Sequence, residues 1–133
     1  MSAARLLLVD DEPRFVETLG KRLAARGFDV AVATSGAEAL ERLQAAAVDV
    51  VVLDVRMPGM DGLQTLKEIR RLHPFVRVVL LSGAASVNAA IDGMRLGASD
   101  YLLKPVTLED LLAKVQEAVE RKRLEEARAA ERA

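Results

Sequence analysis

The chain has 133 residues, of which 51% are apolar and 29% charged, with a formal net charge of −1. That length fits one domain with its own core, and the balance excludes disorder as well as broad electrostatic adhesion to nucleic acid or to an anionic membrane. There is no cysteine, which excludes disulfides, thiolate catalysis and thiolate zinc sites.

Taken in chain order, Met1 to Arg5 lead into a short apolar run, Leu6 to Val9, that ends on two aspartates. A signal peptide needs a longer apolar stretch with a cleavage site, and a membrane helix needs roughly 20 apolar residues. The reading is therefore of a cytoplasmic chain with no membrane segment, and of Leu6 to Val9 as a first strand. Pro13 to about Arg26 carry Phe15, Val16, Leu19 and Leu23 at helical spacing, with Gly27 as the stop. Phe28 to Ala33 is mixed in polarity and suits an edge strand. Ser35 reads as an N-cap, and Glu38 three residues on completes a capping box for a helix bearing Ala39, Leu40 and Leu43.

Val48 to Leu53 and Val76 to Leu81 are Val-rich and nearly continuous in apolar character. Such runs predict parallel strands covered on both faces. Between them Leu63, Leu66, Ile69 and Leu72 mark a helix that ends near His73-Pro74, because proline disfavours the helical conformation in the residue before it. Val87 to Leu96 is a fourth helix, weakened by Gly93. Tyr101 to Leu103 is a short last strand, and Thr107 caps a fifth helix with Leu108, Leu111, Leu112, Val115 and Val119 as its buried stripe. The strict strand–helix alternation predicts an α/β fold with a doubly wound parallel sheet. Past Val119 the stripe fades. Residues 121–133 form a charged extension of the last helix, with Glu117–Arg121 and Lys122–Glu126 at i,i+4 spacing. A solvated, fraying end is the plain expectation for it; a dimer or partner helix, and a stub of a linker, are the alternatives.

In a doubly wound sheet, ligands bind beyond the carboxyl ends of the strands. There the sequence places Asp10 and Asp11, Asp54, Ser82 and Lys104. Singly, each has a plain explanation: Asp10 and Asp11 as helix caps, Lys104 as a solvated side chain, Ser82 as a loop residue. Jointly they do not, because clustered carboxylates repel unless a cation offsets them. A hard divalent cation, Mg²⁺ or Mn²⁺, suits such oxygens. Lys104 then serves as a point charge on a phosphoryl oxygen, Ser82 as a donor, and Asp54 as a carboxylate nucleophile.

The segments Leu7-Leu8-Val9-Asp10-Asp11-Glu12, Val52-Leu53-Asp54-Val55-Arg56-Met57-Pro58-Gly59-Met60-Asp61-Gly62, Leu81-Ser82-Gly83 and Gly97 to Pro105 occur in that order. With them the chain, from about Leu6 to Glu120, resembles the receiver domain of two-component response regulators. The Asp100-Tyr101-Leu102-Leu103-Lys104-Pro105-Val106 ending resembles NtrC-like receivers. The resemblance implies a flavodoxin-like (βα)5 sandwich with strand order 2-1-3-4-5, and a receiver domain over residues 1–120. It implies that Asp54 accepts a phosphoryl group from a sensor histidine kinase or phosphotransfer protein. Asp11 and Asp54 would ligate the metal directly, Asp10 through water, and Arg56 through its backbone carbonyl. Lys104 would reach the phosphoryl group beside a cis Lys104–Pro105 peptide. Ser82 would swing inward on modification, and Tyr101 would follow from an exposed to a buried rotamer. Arg56 and Ala84 stand where the family tunes phosphoryl lifetime.

The leading expectation is thus a signalling switch rather than an enzyme, with an unknown output partner and no direct contact with nucleic acid. A homodimer through the fourth helix, fifth strand and fifth helix is a further expectation, with Asp100 and Lys114 where some relatives place cross-subunit charges. A Mg²⁺-dependent phosphohydrolase is the enzymatic alternative, and Arg56 speaks against it, since such enzymes place a second carboxylate two residues after the nucleophile. A scaffold that no longer takes phosphate is opposed by the intact Asp11, Asp54, Ser82 and Lys104 set. His73, the only histidine, reads as a loop residue.

Overall fold

Alternation of side chains along a strand explains why the apolar runs are nearly continuous: each strand must satisfy two cores at once. The computed structural model describes residues 3–57 and 61–132, so Pro58 and Gly59 of the loop motif lie outside the described residues. Five strands, β1 (Arg5–Val9), β2 (Asp29–Ala33), β3 (Val50–Asp54), β4 (Arg77–Ser82) and β5 (Asp100–Leu103), form one parallel sheet in the order β2-β1-β3-β4-β5. On one face Leu6, Leu8, Val50, Val52, Val79 and Leu81 pack against α1 (Pro13–Ala24) and α5 (Leu108–Arg132). On the other, Leu7, Val9, Val51, Leu53, Val78 and Leu80 meet α2 (Gly36–Ala45), α3 (Gly62–Leu72) and α4 (Val87–Arg95). β2 is an edge strand, as its mixed composition predicts, and most of its residues are only half-buried.

The helix ends differ from expectation in instructive ways. α1 stops at Ala24, and its N-cap is Glu12, which makes no side-chain cap, so neither Asp10 nor Asp11 caps this helix. Ser35 Oγ accepts the Glu38 N–H at 3.1 Å, but Glu38 Oε1 accepts from Thr34 N–H at 3.3 Å, so the expected box closes one residue early. The full capping box stands instead at α3, where Asp61 Oδ1 accepts from Gln64 N–H at 2.8 Å and Gln64 Oε1 accepts from Asp61 N–H at 3.2 Å. Leu72, the last residue of α3, is 42% exposed and so does not belong to the buried stripe. α4 begins after a single 3-10 turn at Ala84–Ser86.

α5 is one continuous helix of 25 residues, and the beginning of its charged extension is not merely solvated. Lys122 Nζ donates to Asp49 Oδ1 at 3.0 Å and to Glu126 Oε1 at 2.9 Å, while Arg77 lies 2.9 Å from Glu125. Asp49 immediately precedes β3 and Arg77 opens β4, so these bonds tie α5 to the end of the sheet away from Asp54. Only the Lys122–Glu126 half of this network is visible as helical spacing. No helix among the described residues is long and apolar enough to cross a membrane.

The turn between α4 and β5 depends on Gly97, whose φ of +106° is a conformation that L side chains rarely adopt. A Cβ there would also sit 3.1 Å from Arg70 Nε. Arg70 is held in turn, since its Nη1 donates to the carbonyls of Pro74 at 2.9 Å and Val76 at 3.1 Å. Gly97→Ala is expected to cost about 1–2 kcal/mol. An unchanged urea midpoint would show that the turn relaxes freely.

Candidate functional site

Parallel strands in register deliver their carboxyl ends to one edge. Val9 pairs with Leu53, Leu53 with Leu80, and Leu81 with both Asp54 and Leu102. Beyond the strands, Asp10 N–H donates to Ala33 O at 3.1 Å, Val55 N–H to Leu81 O at 3.0 Å and Lys104 N–H to Ser82 O at 2.8 Å. These bonds extend the ladder by one residue, so Asp10, Asp54, Ser82 and Lys104 sit on rigid backbone. The strand order reverses beside β1 and β3, which puts the two strands that carry Asp10 and Asp54 at the switch point.

Asp10, Asp11 and Asp54 each offer a carboxylate oxygen within 4.8 Å of the others. Three carboxylates gathered this closely are the oxygen donors that a hard divalent cation takes. Asp10 is buried and Asp11 exposed, which leaves an open side toward solvent. Asp10 Oδ1 accepts from Glu12 N–H at 3.0 Å, and Asp54 Oδ1 accepts from Arg56 N–H at 3.1 Å. Lys104 Nζ donates to Asp10 Oδ2 at 2.8 Å and lies 3.7 Å from Asp54 Oδ2.

The charges are only partly balanced. Burial pushes the Asp54 carboxyl above its ordinary range, the Arg56 N–H and Lys104 draw it back, and Asp10 and Asp11 raise it further. For Lys104, burial acts to lower the pKa, but the Asp10 bond and the Asp54 charge together raise it. The site is therefore short of positive charge, and a divalent cation would supply it.

Ser82 is fully buried, and its hydroxyl donates to Gly83 O at 2.9 Å. Tyr101 on β5 is half-buried against the core of the α2–α3–α4 face. Arg56 is exposed, and the Lys104–Pro105 peptide is cis. A cleft of about 590 Å³ opens between the loop after β3 and the start of α4, lined by Arg56, Met57, Asp61, Leu63, Ala85 and Ala89 among others. Asp100 and Lys114 pair with each other at 2.7 Å within the chain. His73 follows α3 and directs a buried Nε2 that has no hydrogen-bond partner, far in the fold from the acidic cluster.

Sequence reasoning did not associate Phe15 with this site. Its ring lies beneath Lys104, with Nζ 4.7 Å from the centroid. The helical stripe of α1 marks Phe15 only as a core position, and nothing local points to a lysine 89 positions away.

A doubly wound sheet with an acidic pocket at its switch point places the chain in the class of α/β domains that can bind a divalent cation and a phosphoryl group there. The sequence model of the response regulator receiver domain matches residues 6–116, and the chain belongs to that family. Receiver domains are signalling switches of two-component systems, phosphorylated on aspartate by histidine kinases, and they generally bind Mg²⁺ at an acidic pocket. The chain is 40% identical over 114 residues to the transcriptional regulatory protein ZraR of Escherichia coli K12, covering 86% of this chain but 26% of that protein. A receiver domain protein from Clostridium thermocellum superposes with a TM-score of 0.87 at 35% identity, covering 91% of this chain and 98% of the other. NtrX from Brucella abortus superposes with a TM-score of 0.90 at 31% identity, covering 96% of this chain and 29% of the other. ZraR and NtrX are NtrC-like regulators, the type that the ending after β5 resembles. The chain thus spans about a quarter of the length of ZraR.

Proposed function

We propose that Asp54 is the phosphoacceptor of this receiver domain, and that residues 1–120 form the receiver while 121–133 continue its last helix. The observation that carries this is the convergence of Asp10, Asp11, Asp54 and Lys104 around one small space at the switch point. A carboxylate oxygen of Asp54 attacks the phosphorus of a phosphohistidine on a sensor kinase or phosphotransfer protein. The new P–O bond forms as the P–N bond breaks, and the imidazole leaves with the electron pair and takes up a proton. Asp11, Asp54 and the Arg56 carbonyl would hold Mg²⁺ or Mn²⁺, with Asp10 helping through water, and the cation would supply the positive charge that phosphoryl oxygens need. Lys104 leaves its contact with Asp10 for a phosphoryl oxygen, and cis-Pro105 follows it in the chain. The only turnover is self-phosphorylation and hydrolysis of the resulting acyl phosphate.

The Ser82 hydroxyl now bonds the carbonyl of its neighbour, a partner it exchanges for the phosphoryl oxygen. The turn at Ala84–Ser86 moves with it, and Tyr101 buries its ring in the space that opens. Readout runs through an output partner on α4, β5 and α5, where Ile91, Met94 and Leu103 are exposed. In a homodimer through this face, Asp100 and Lys114 would exchange their internal pairing for cross-subunit contacts. With a net charge of −1, the chain would govern an effector rather than grip DNA itself.

Incubation with Mg²⁺ and acetyl phosphate followed by intact mass tests the site. One phosphoryl group is expected on the wild type, and none on Asp54→Ala or after chelation of the metal. An unchanged gain in Asp54→Ala would refute the assignment. Equal sedimentation with and without beryllofluoride would remove the dimer.

A further inference from the structure

The ammonium of Lys104 has three donors to place, and its side chain is only 24% exposed. One side meets Asp10 Oδ2 at 2.8 Å, and a second faces Asp54 Oδ2 at 3.7 Å. The Phe15 ring lies under it, 4.7 Å from Nζ to the centroid. The ring is itself anchored, since Phe15 is half-buried on α1 against the core that contains Val16, Leu19 and Leu111.

We infer that Phe15 is a positioning residue for phosphoryl transfer, holding the Lys104 ammonium between Asp10 and Asp54. This rests on the reading of Asp54 as phosphoacceptor and of Lys104 as the cation that meets the phosphoryl group. An aromatic face attracts a cation through its quadrupole but presents no localised lone pair. It therefore confines the ammonium without tying up a donor that a phosphoryl oxygen needs. A polar side chain at position 15 would compete for that donor. An aliphatic one would leave a hydrated cation on a flexible stem, to be ordered again at each reaction. Phe15 touches neither metal nor phosphate and acts only through the lysine.

The test compares Phe15→Leu, which keeps the apolar anchor, with Phe15→Tyr, which keeps the ring. With acetyl phosphate and Mg²⁺, Phe15→Leu is expected to be phosphorylated about tenfold more slowly, whereas Phe15→Tyr stays within about twofold of wild type, as one partly desolvated cation–ring contact implies. In the NMR spectrum of the wild type, the Cε protons of Lys104 are expected upfield of those of the other lysines, through the ring current. Phe15→Tyr should keep that shift and Phe15→Leu should lose it. Wild-type rates in Phe15→Leu, or equal slowing in both variants, would overturn the inference while Asp54 phosphorylation stands. An unshifted Lys104 in the wild type would overturn it without any variant. Failure of the wild type to be phosphorylated would overturn the underlying reading and this inference with it.

Discussion

Gly62→Ala is expected to lower the stability of the chain by about 3 kcal/mol, a large effect for one methyl group. Gly62 is the first residue of α3, and its N–H donates to Val55 O at 3.1 Å, so the helix starts against the end of β3. A Cβ at this position would overlap Asp54 O and come within 2.5 Å of Val55 O. Backbone cannot rotate aside as a side-chain tip can. β3 is also pinned there, because Val55 N–H donates to Leu81 O at 3.0 Å. Relief must come from α3 moving outward, which would loosen the packing of Thr65 and Leu66, both completely buried. The urea midpoint should fall with little change in slope, because α3 shifts outward while β3 stays in place. A midpoint within experimental error of wild type would show that α3 has room to shift.

Lys122→Met is expected to cost about 2 kcal/mol near neutral pH, by taking from the mostly buried Asp49 the ammonium that bonds it directly. The side chains of Lys122 and Asp49 are 12% and 18% exposed, well below a surface ion pair. Burial by itself would raise the Asp49 pKa, but the Arg5 N–H, the Lys122 ammonium and the Arg123 charge together hold it below the ordinary carboxylate value. For Lys122, burial would lower the pKa, but the Glu126 and Asp49 bonds raise it above the ordinary lysine value. A lowered carboxylate pKa stabilises the fold above the unfolded-state value and is lost as pH falls through the folded one. A raised lysine pKa stabilises below the unfolded-state value and is lost as pH rises through the folded one. The gap between wild type and variant should therefore be widest on the plateau from about pH 5 to 9, and should narrow toward acid and toward strong alkali. Urea titrations at several pH values check this, and a gap constant with pH would show that packing of the lysine stem, not charge, carries the effect. Proteolysis of the extension should also quicken in the variant, because Lys122 helps tie α5 to the sheet.

The alternation of strand and helix was legible because it rests on periodicity and continuity of apolar residues, both properties of short windows. The Val-rich runs at β3 and β4 announced that both sheet faces are covered, and the mixed run at β2 announced an edge. The acidic cluster was also legible, since parallel strands bring residues that follow them to one edge whatever the loops do. What failed was local detail set by neighbours. The Ser35 box closes on Thr34, because the Glu38 side chain reaches past Ser35 to the preceding N–H. Asp61 and Gln64 supply the full capping box at α3, inside a segment whose loop motif drew notice for other reasons.

The amino-acid sequence by itself determined a five-unit α/β chain with Asp10, Asp11, Asp54, Ser82 and Lys104 at strand ends, because each of those statements needs only order and spacing along the chain. The tertiary structure decided that Lys104 bonds Asp10 more closely than Asp54, that the Phe15 ring lies beneath it, that Asp100 and Lys114 pair internally, and that Lys122 joins α5 to the start of β3. These contacts join residues far apart in the chain, and their energies depend on burial and distance, quantities that exist only once the chain has closed on itself.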